Sequence, residues 1–191
     1  FSVYKTSLLK ELGGWKNSIG EDIVLTWEIL SKGYLSYYED EAIAFTNVPV
    51  KLKVFLRQRV RWARGMIEGF RHFSFKECKN KYSKFLVSLD YFLLVIDSSI
   101  LLFFIPGIVL ACLGNFLIVG PMTLILFPLT LLLFGIMFLS EYKRVFKYLG
   151  LKVRKHYLAL LVYILIYSIL LSPCCVWGYI SELFGIKRKW K

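Results

Sequence analysis

Between Phe85 and Ser140 the chain has no lysine or arginine, and its only acids there are Asp90 and Asp97. So long a stretch without a cation excludes an ordinary water-facing surface. With 57% hydrophobic and 17% aromatic residues, the whole chain exceeds the apolar share of about 45–50% usual in soluble domains. Cysteine is scarce and badly spaced for structure: Cys78, Cys112, Cys174 and Cys175 offer no paired zinc spacing. They make neither a disulfide framework nor a metal site and read as free thiols, three of them in lipid-facing or core positions. No initiator methionine precedes Phe1, and the expectation is a piece of a longer protein.

The cations are concentrated where the apolar tracts stop. Lys51 to Lys84 holds eleven basic residues against two acidic, Glu141 to His156 six against one, and the tail Lys187 to Lys191 is basic again. Basic blocks bracketing apolar spans mark an integral membrane protein. A nucleic-acid binder would spread its charge over a soluble face instead, so no nucleic-acid partner is expected.

No proline occurs from Val50 to Phe73, where cationic and apolar residues alternate. At 3.6 residues per turn the run predicts one helix with two working faces. Leu52, Leu56, Val60, Ala63, Ile67 and Phe70 form an apolar stripe, while Gln58, Arg61, Trp62, Gly65 and Gly69 fall on another side. A basic amphipathic helix is most simply a membrane-surface element, its arginines near anionic headgroups. That leaves unexplained why an amide, a guanidinium and an indole share a side with two glycines, a combination suited to an anionic ligand carrying a ring.

Upstream, residues 1–4 read as the end of a strand, with Thr6 or Ser7 capping a short helix that ends at Gly13-Gly14. The pattern of Ile23, Val24, Trp27 and Leu30 predicts a helix over 21–32, stopped by a left-handed Gly33. Residues 34–38 and 42–47 read as short strands around the acidic turn Glu39-Asp40-Glu41. Helices interleaved with strands suggest the last third of an α/β domain. Glu21 and Asp22 fall in the first turn of the second helix. The backbone dipole favours carboxylates there; alternatively Asp22 projects into a pocket as a general base that takes a proton from a hydroxyl nucleophile.

Residues 74–84 form a lysine-rich connector, followed by apolar tracts at about 91–113 and 116–139 joined at Gly114-Asn115. Each is long enough for a bilayer core, which takes about 20 residues, and together they predict a hairpin that returns the basic block 142–156 to the cytoplasm beside the central helix. A third tract, 157–180, contains Pro173 and would leave the basic tail outside if it crossed once. Either it kinks at Ser172-Pro173 and lies partly in the interface, or one earlier tract does not span fully. Asp97, deep in the first tract, must face protein or water, as a helix-to-helix hydrogen bond or as the lining of a polar passage for product.

Gly20-Glu21-Asp22 with Leu25, then Gln58-Arg59-Val60-Arg61-Trp62 beginning 36 residues after Asp22, followed by apolar spans, resembles the C-terminal half of a membrane-embedded family 2 glycosyltransferase of the polysaccharide synthase type. Cellulose, hyaluronan, chitin and poly-N-acetylglucosamine synthases are of this kind. The resemblance implies that Asp22 is the catalytic base, with Glu21 beside it in the substrate site. It implies that Gln58 and Arg61 contact the donor diphosphate, that Arg59 fits the bacterial variant of the motif, and that Trp62 supports the acceptor sugar. Gly20 resembles the chitin-oligosaccharide and hyaluronan branch. The family's nucleotide-binding strand and Asp-x-Asp motif have no counterpart in these 191 residues. Mg2+ or Mn2+ would therefore be bound by residues absent from this chain.

The expectation is thus a partial α/β glycosyltransferase domain over 1–49, an amphipathic interface helix and connector over 50–84, and an all-α transmembrane region over 85–191. Its partners would be a UDP-sugar, a glycan or lipid acceptor and the bilayer, with catalysis on the cytoplasmic side of a multi-pass membrane protein. A nonprocessive lipid glycosyltransferase and a noncatalytic membrane scaffold are the alternatives.

Overall fold

A computed structural model of the chain describes residues 2–39, 42–121, 123–152 and 156–187. Its helices are α1 (Thr6–Glu11), α2 (Glu21–Ser31), α3 (Leu52–His72), α4 (Lys81–Ser99), α5 (Ile105–Cys112), α6 (Thr123–Glu141) and α7 (Tyr157–Leu183). A 3-10 turn, Phe75–Glu77, precedes α4, and π-helical turns, Ile100–Phe104 and Tyr142–Phe146, follow α4 and α6. The chain divides into two compact units, Phe1–Ser98 with Leu171–Lys191, and Ser99–Leu170.

Among the described residues there is no strand, which corrects the α/β expectation. Residues 34–38 and 42–47 carry the β-rich composition, but an extended segment becomes a strand only when a neighbour takes its N–H and C=O groups. The ladder partners are missing from the backbone hydrogen bonds described for these segments, where the Ala42 N–H to Glu39 carbonyl contact is a turn of 3.4 Å. Residues 2–5 are likewise not strand. Phe1, Asp40 and Glu41, which belong to these expectations, lie outside the described residues, as do part of the basic block 142–156 and most of the tail.

In the first unit α1 starts at Thr6 without a side-chain cap, the extended Lys5 standing before it. Thr6 and Ser7 are therefore already helical and do not serve as the cap. Gly13 and Gly14 end the helix at positive φ, and Gly33 ends α2 at φ 93°, as their sequence positions predict. The helix α2 buries two sides. Leu25 and Ile29 meet Leu12, Leu8 and Leu9, whereas Trp27 and Leu30 meet Cys78 and Val87. Burial, and then the Glu77 carboxylate, push the Cys78 thiol above its ordinary value.

A ladder of rings ties three helices together. The Trp27 and Phe70 centroids are 4.9 Å apart and those of Phe70 and Tyr91 4.0 Å apart, both stacked. Because Val87 and Tyr91 belong to this cluster, the first eleven residues of α4, Lys81 to Tyr91, are part of the packed unit, and the helix starts inside the expected polar connector. On α3 the apolar stripe is buried from Ala63 onward, through Ile67 against Tyr179. Leu52, expected in the same stripe, is exposed, since the first turns of α3 run past the neighbours that cover the rest.

Asp97 resolves toward a helix-to-helix hydrogen bond. Ser172 Oγ donates to Asp97 Oδ1 at 2.9 Å and Tyr179 Oη donates to Oδ2 at 2.7 Å, so both carboxylate oxygens are engaged by α7. Removing a partner from such a site costs about 1–3 kcal/mol. Tyr179→Phe in the full-length protein is expected to lower the detergent unfolding midpoint by several degrees, read by a thermal melt. An unchanged midpoint would show that this bond does not hold α4 to α7. Pro173, where the sequence predicts a kink, lies inside α7.

The second unit holds the π-helical turns, α5, α6 and the first part of α7. Gly107 seats against Ile118 and Val119, where an added Cβ would come within 2.7 Å of Val119 Cγ2. The second apolar tract becomes helical only at Thr123, not at Phe116. Asn115 Oδ1 accepts the Leu117 N–H at 3.1 Å, making a local turn, and Pro121 disfavours helix in the residue before it. Among the described residues two helices, Lys81–Cys112 and Tyr157–Leu183, are long and apolar enough to cross a membrane.

Candidate functional site

The site begins with glycines. Gly20, just before α2, lies backbone to backbone on Gly65 of α3: a Cβ built on Gly20 would stand 2.8 Å from the Gly65 carbonyl oxygen, and one built on Gly65 2.9 Å from Gly20 Cα. One turn later Gly69 takes the Trp27 ring, with an added Cβ 2.9 Å from Cζ3 and 3.3 Å from Ile23 Cγ2. Glu68 Oε2 accepts the Ile19 N–H at 2.7 Å, a second tie between the α2 tip and α3. The glycine side of α3 is therefore the side that α2 occupies, and Gly20 is where the chain enters α2 against it.

Gln58, Arg61 and Trp62 continue that side toward the N-terminus of α3. At about 1.5 Å per residue, Trp62 lies about 5 Å along the axis from Gly65 and Gln58 about 10 Å. Gln58 and Arg59 are half-buried and Arg61 is exposed; Trp62 keeps 49% of its surface exposed. The Arg59 guanidinium stands 4.7 Å from the Phe55 ring centroid and 4.3 Å from that of Trp62. Arg59 thus braces the indole within its own helix by cation–π attraction, a role that its place in the motif does not reveal.

Glu21 and Asp22 occupy the first turn of α2, and both are exposed. Asp22 Oδ1 accepts the Ile23 N–H at 2.9 Å, which fixes the carboxylate at the helix tip. The preceding loop is tied by Lys16, whose Nζ donates to the Leu12 carbonyl at 3.1 Å and lies 3.4 Å from Glu28 Oε1. Trp15 meets Tyr4 edge-on at 5.8 Å.

Sequence reasoning missed Arg64 and Glu182. Arg64 Nε lies 2.8 Å from Glu182 Oε2, with both side chains nearly inaccessible at 6% and 5%. The signal was available, since Arg64 falls on the buried stripe between Ala63 and Ile67, where a cation demands a partner. What the spacing could not supply was that partner, 118 residues away.

Elsewhere in the first unit, an open cleft of about 1400 Å³ is lined by Tyr4, Tyr34, Tyr37, Tyr38 and Phe45 among others, and none of the six candidate residues borders it. Volume alone therefore does not identify the site. Among the described residues no three His, Cys, Asp or Glu side chains come together as metal donors.

The sequence is 35% identical over 82 residues to the poly-beta-1,6-N-acetyl-D-glucosamine synthase of Staphylococcus aureus (strain COL), covering 42% of this chain and 20% of that protein. It is 36% identical over 70 residues to a UDP-forming cellulose synthase of Dictyostelium discoideum, covering 36% of this chain and 7% of that one. The chain thus aligns with a fifth or less of each of these relatives. No solved structure matches it. A family model described as glycosyl transferase family group 2 matches residues 1–181, nearly the whole chain, and on that match the chain belongs to glycosyl transferase family group 2.

Proposed function

We propose that this chain is the acceptor-side and membrane part of an enzyme that transfers a sugar, with inversion, from a UDP-sugar to a hydroxyl of a growing β-linked glycan. In this reading the α2 tip and the Gln58–Trp62 turn of α3 border one pocket on the cytoplasmic face. The observation that carries it is the contact of Gly20 on Gly65, which sets the first turn of α2 beside the glycine row that Gln58, Arg61 and Trp62 extend.

The chemistry follows from the residue types. As the acceptor oxygen bonds to the sugar carbon and the diphosphate leaves, Asp22 takes the hydroxyl proton. Gln58 and Arg61 donate hydrogen bonds to the departing diphosphate, where negative charge develops. The half-exposed Trp62, braced by Arg59, offers its face to the acceptor ring. Glu21 completes the acidic tip. The apolar helices hold the site at the bilayer and help extrude product in a multi-pass membrane protein. Any divalent cation in this reaction would have its ligands outside the residues described here.

The test is radiolabelled incorporation from a panel of UDP-sugars by the full-length protein in membranes, with product length read on a gel. One UDP-sugar is expected to give long product, and Trp62→Ala is expected to shorten it. Incorporation only into a lipid-sized product would replace the polysaccharide reading with the nonprocessive one, and no incorporation from any UDP-sugar would refute both.

A further inference from the structure

The buried charges Arg64 and Glu182 take no part in the reaction proposed above, yet they lie within one turn of its motif. Arg64 is two residues after Trp62 and three after Arg61. Its Nε donates to Glu182 Oε2 at 2.8 Å and its Nη2 to the Ile186 carbonyl at 2.7 Å. Farther along α3, Arg71 Nη2 donates to the Leu183 carbonyl at 3.1 Å. The Leu183 carbonyl that ends α7 is thus taken by Arg71 and the Ile186 carbonyl just beyond it by Arg64, while those of Ile180, Ser181 and Glu182 accept main-chain N–H groups; a helix C-terminus attracts such cations. Next to the pair, Gly178 lets the two backbones close up: an added Cβ would lie 2.6 Å from Ala63 Cβ and 2.8 Å from the Val60 carbonyl oxygen. Behind it, Tyr179 and Ser172 fasten α7 to Asp97 of α4.

We infer that the end of α7 is a clamp on the interface helix: the Arg64–Glu182 pair, with Leu183 and Ile186 as main-chain acceptors, positions the Gln58–Trp62 turn, and the chain after Leu183 emerges on the same side of the membrane as α3. The catalytic half of this inference rests on the proposed function; the placement of the tail does not. A helix is stiff over a single turn, so a displacement of Arg64 is passed to Arg61 and Trp62. Two buried charges satisfied by each other, with the Ile186 carbonyl accepting a second N–H of Arg64, fix one geometry, because shifting either group strands the other. The placement also bears on the side at which Lys187, the first residue of the basic tail, leaves α7. With α4 leaving from the α3 side and α7 returning to it, the chain crosses an even number of times between Lys81 and Leu183. One of the three apolar tracts therefore does not make a full crossing.

Two measurements on the full-length protein test this. In native vesicles, with every native cysteine of the full-length protein replaced by serine, Lys53→Cys on α3 and Lys187→Cys after α7 are labelled separately with a membrane-impermeant maleimide. Both are expected to react from the same face; reaction from opposite faces overturns the clamp. In monodisperse purified enzyme, Glu182→Gln is expected to lower kcat at least tenfold and to raise the KM for the UDP-sugar, with Arg64→Lys losing less because it keeps a charge for Glu182. A role in folding alone would reduce yield and leave both constants of the folded fraction unchanged, and that result overturns the positioning role. Should Glu182→Gln fail to accumulate, Arg71→Ala, which removes only the exposed Leu183 bond, is expected to raise the same KM two- to fivefold. Co-labelling of the two cysteines together with full turnover in Asp22→Asn would leave the clamp standing and discard the catalytic assignment instead.

Discussion

Gly65→Val in the full-length protein is expected to cut the proposed sugar transfer about a hundredfold and to lower the unfolding midpoint. A Cβ at this position meets Gly20 Cα at 2.9 Å, Gly20 N at 3.0 Å and the Ile19 carbonyl carbon at 3.4 Å. All three neighbours are backbone, so no side-chain rotation relieves the overlap and the α2 tip must back away from α3. Overpacking of this kind costs about 1–3 kcal/mol of stability. The effect on turnover is larger, because a displacement of about 1 Å between groups that act together costs on the order of a hundredfold in rate. Gly135→Ala is the matched control: Gly135 sits within α6, and an added Cβ has nothing within 4 Å. That variant is expected to keep full activity. Melting curves and incorporation assays on the two variants check the contrast, and a fully active Gly65→Val would remove the contact on which the site is built.

The second large effect is expected at Asp22. Asp22→Asn keeps the shape and the acceptor for the Ile23 N–H, which Asp22 Oδ1 now takes at 2.9 Å, but it cannot accept a proton. General-base catalysis contributes about 10²–10⁴-fold, and turnover should fall by that factor while UDP binding, measured by calorimetry or by competition, stays intact. Glu21→Gln separates this from the electrostatics of the helix end. Both acids lie in the first turn of α2, so a dipole effect alone would make the two neutralisations equal and small. A drop confined to Asp22 supports its role as base; equal, few-fold drops would reduce both residues to helix-stabilising charges.

Much of the helical framework could be read from the sequence, for identifiable reasons. The α2 prediction came within a residue of Glu21–Ser31 because a glycine stop and an apolar 3.6-residue period agree. The α3 prediction came within two residues at its start and one at its end because nothing in 50–73 breaks a helix. The strands failed because β composition reports a surface that fits a sheet, whereas forming one requires a neighbouring strand. Local sequence also misplaced the start of α4, since Lys81 and Lys84 look like a connector while Val87 and Tyr91 between apolar neighbours already pack on Trp27 and Phe70.

In the candidate site, residue types and faces were legible but partners were not. Gly65 and Gly69 could be placed on one side of α3 from spacing, yet only the fold shows that α2 fills that side. Gly20 gains a physical explanation beyond family branch: no side chain fits between it and Gly65. Asp97 announced that something polar must meet it, whereas Arg64 and Glu182 went unread; the partners of these residues lie 75 to 118 residues away, beyond any local pattern.

The most direct test is a structure of the full-length enzyme with UDP and an acceptor oligosaccharide bound. The account requires the diphosphate against Gln58 and Arg61, the terminal sugar on the Trp62 face, and the Asp22 carboxylate within hydrogen-bond reach of its free hydroxyl. A terminal sugar bound far from Asp22, or a Gln58–Trp62 turn facing lipid while UDP occupies another surface, would contradict it.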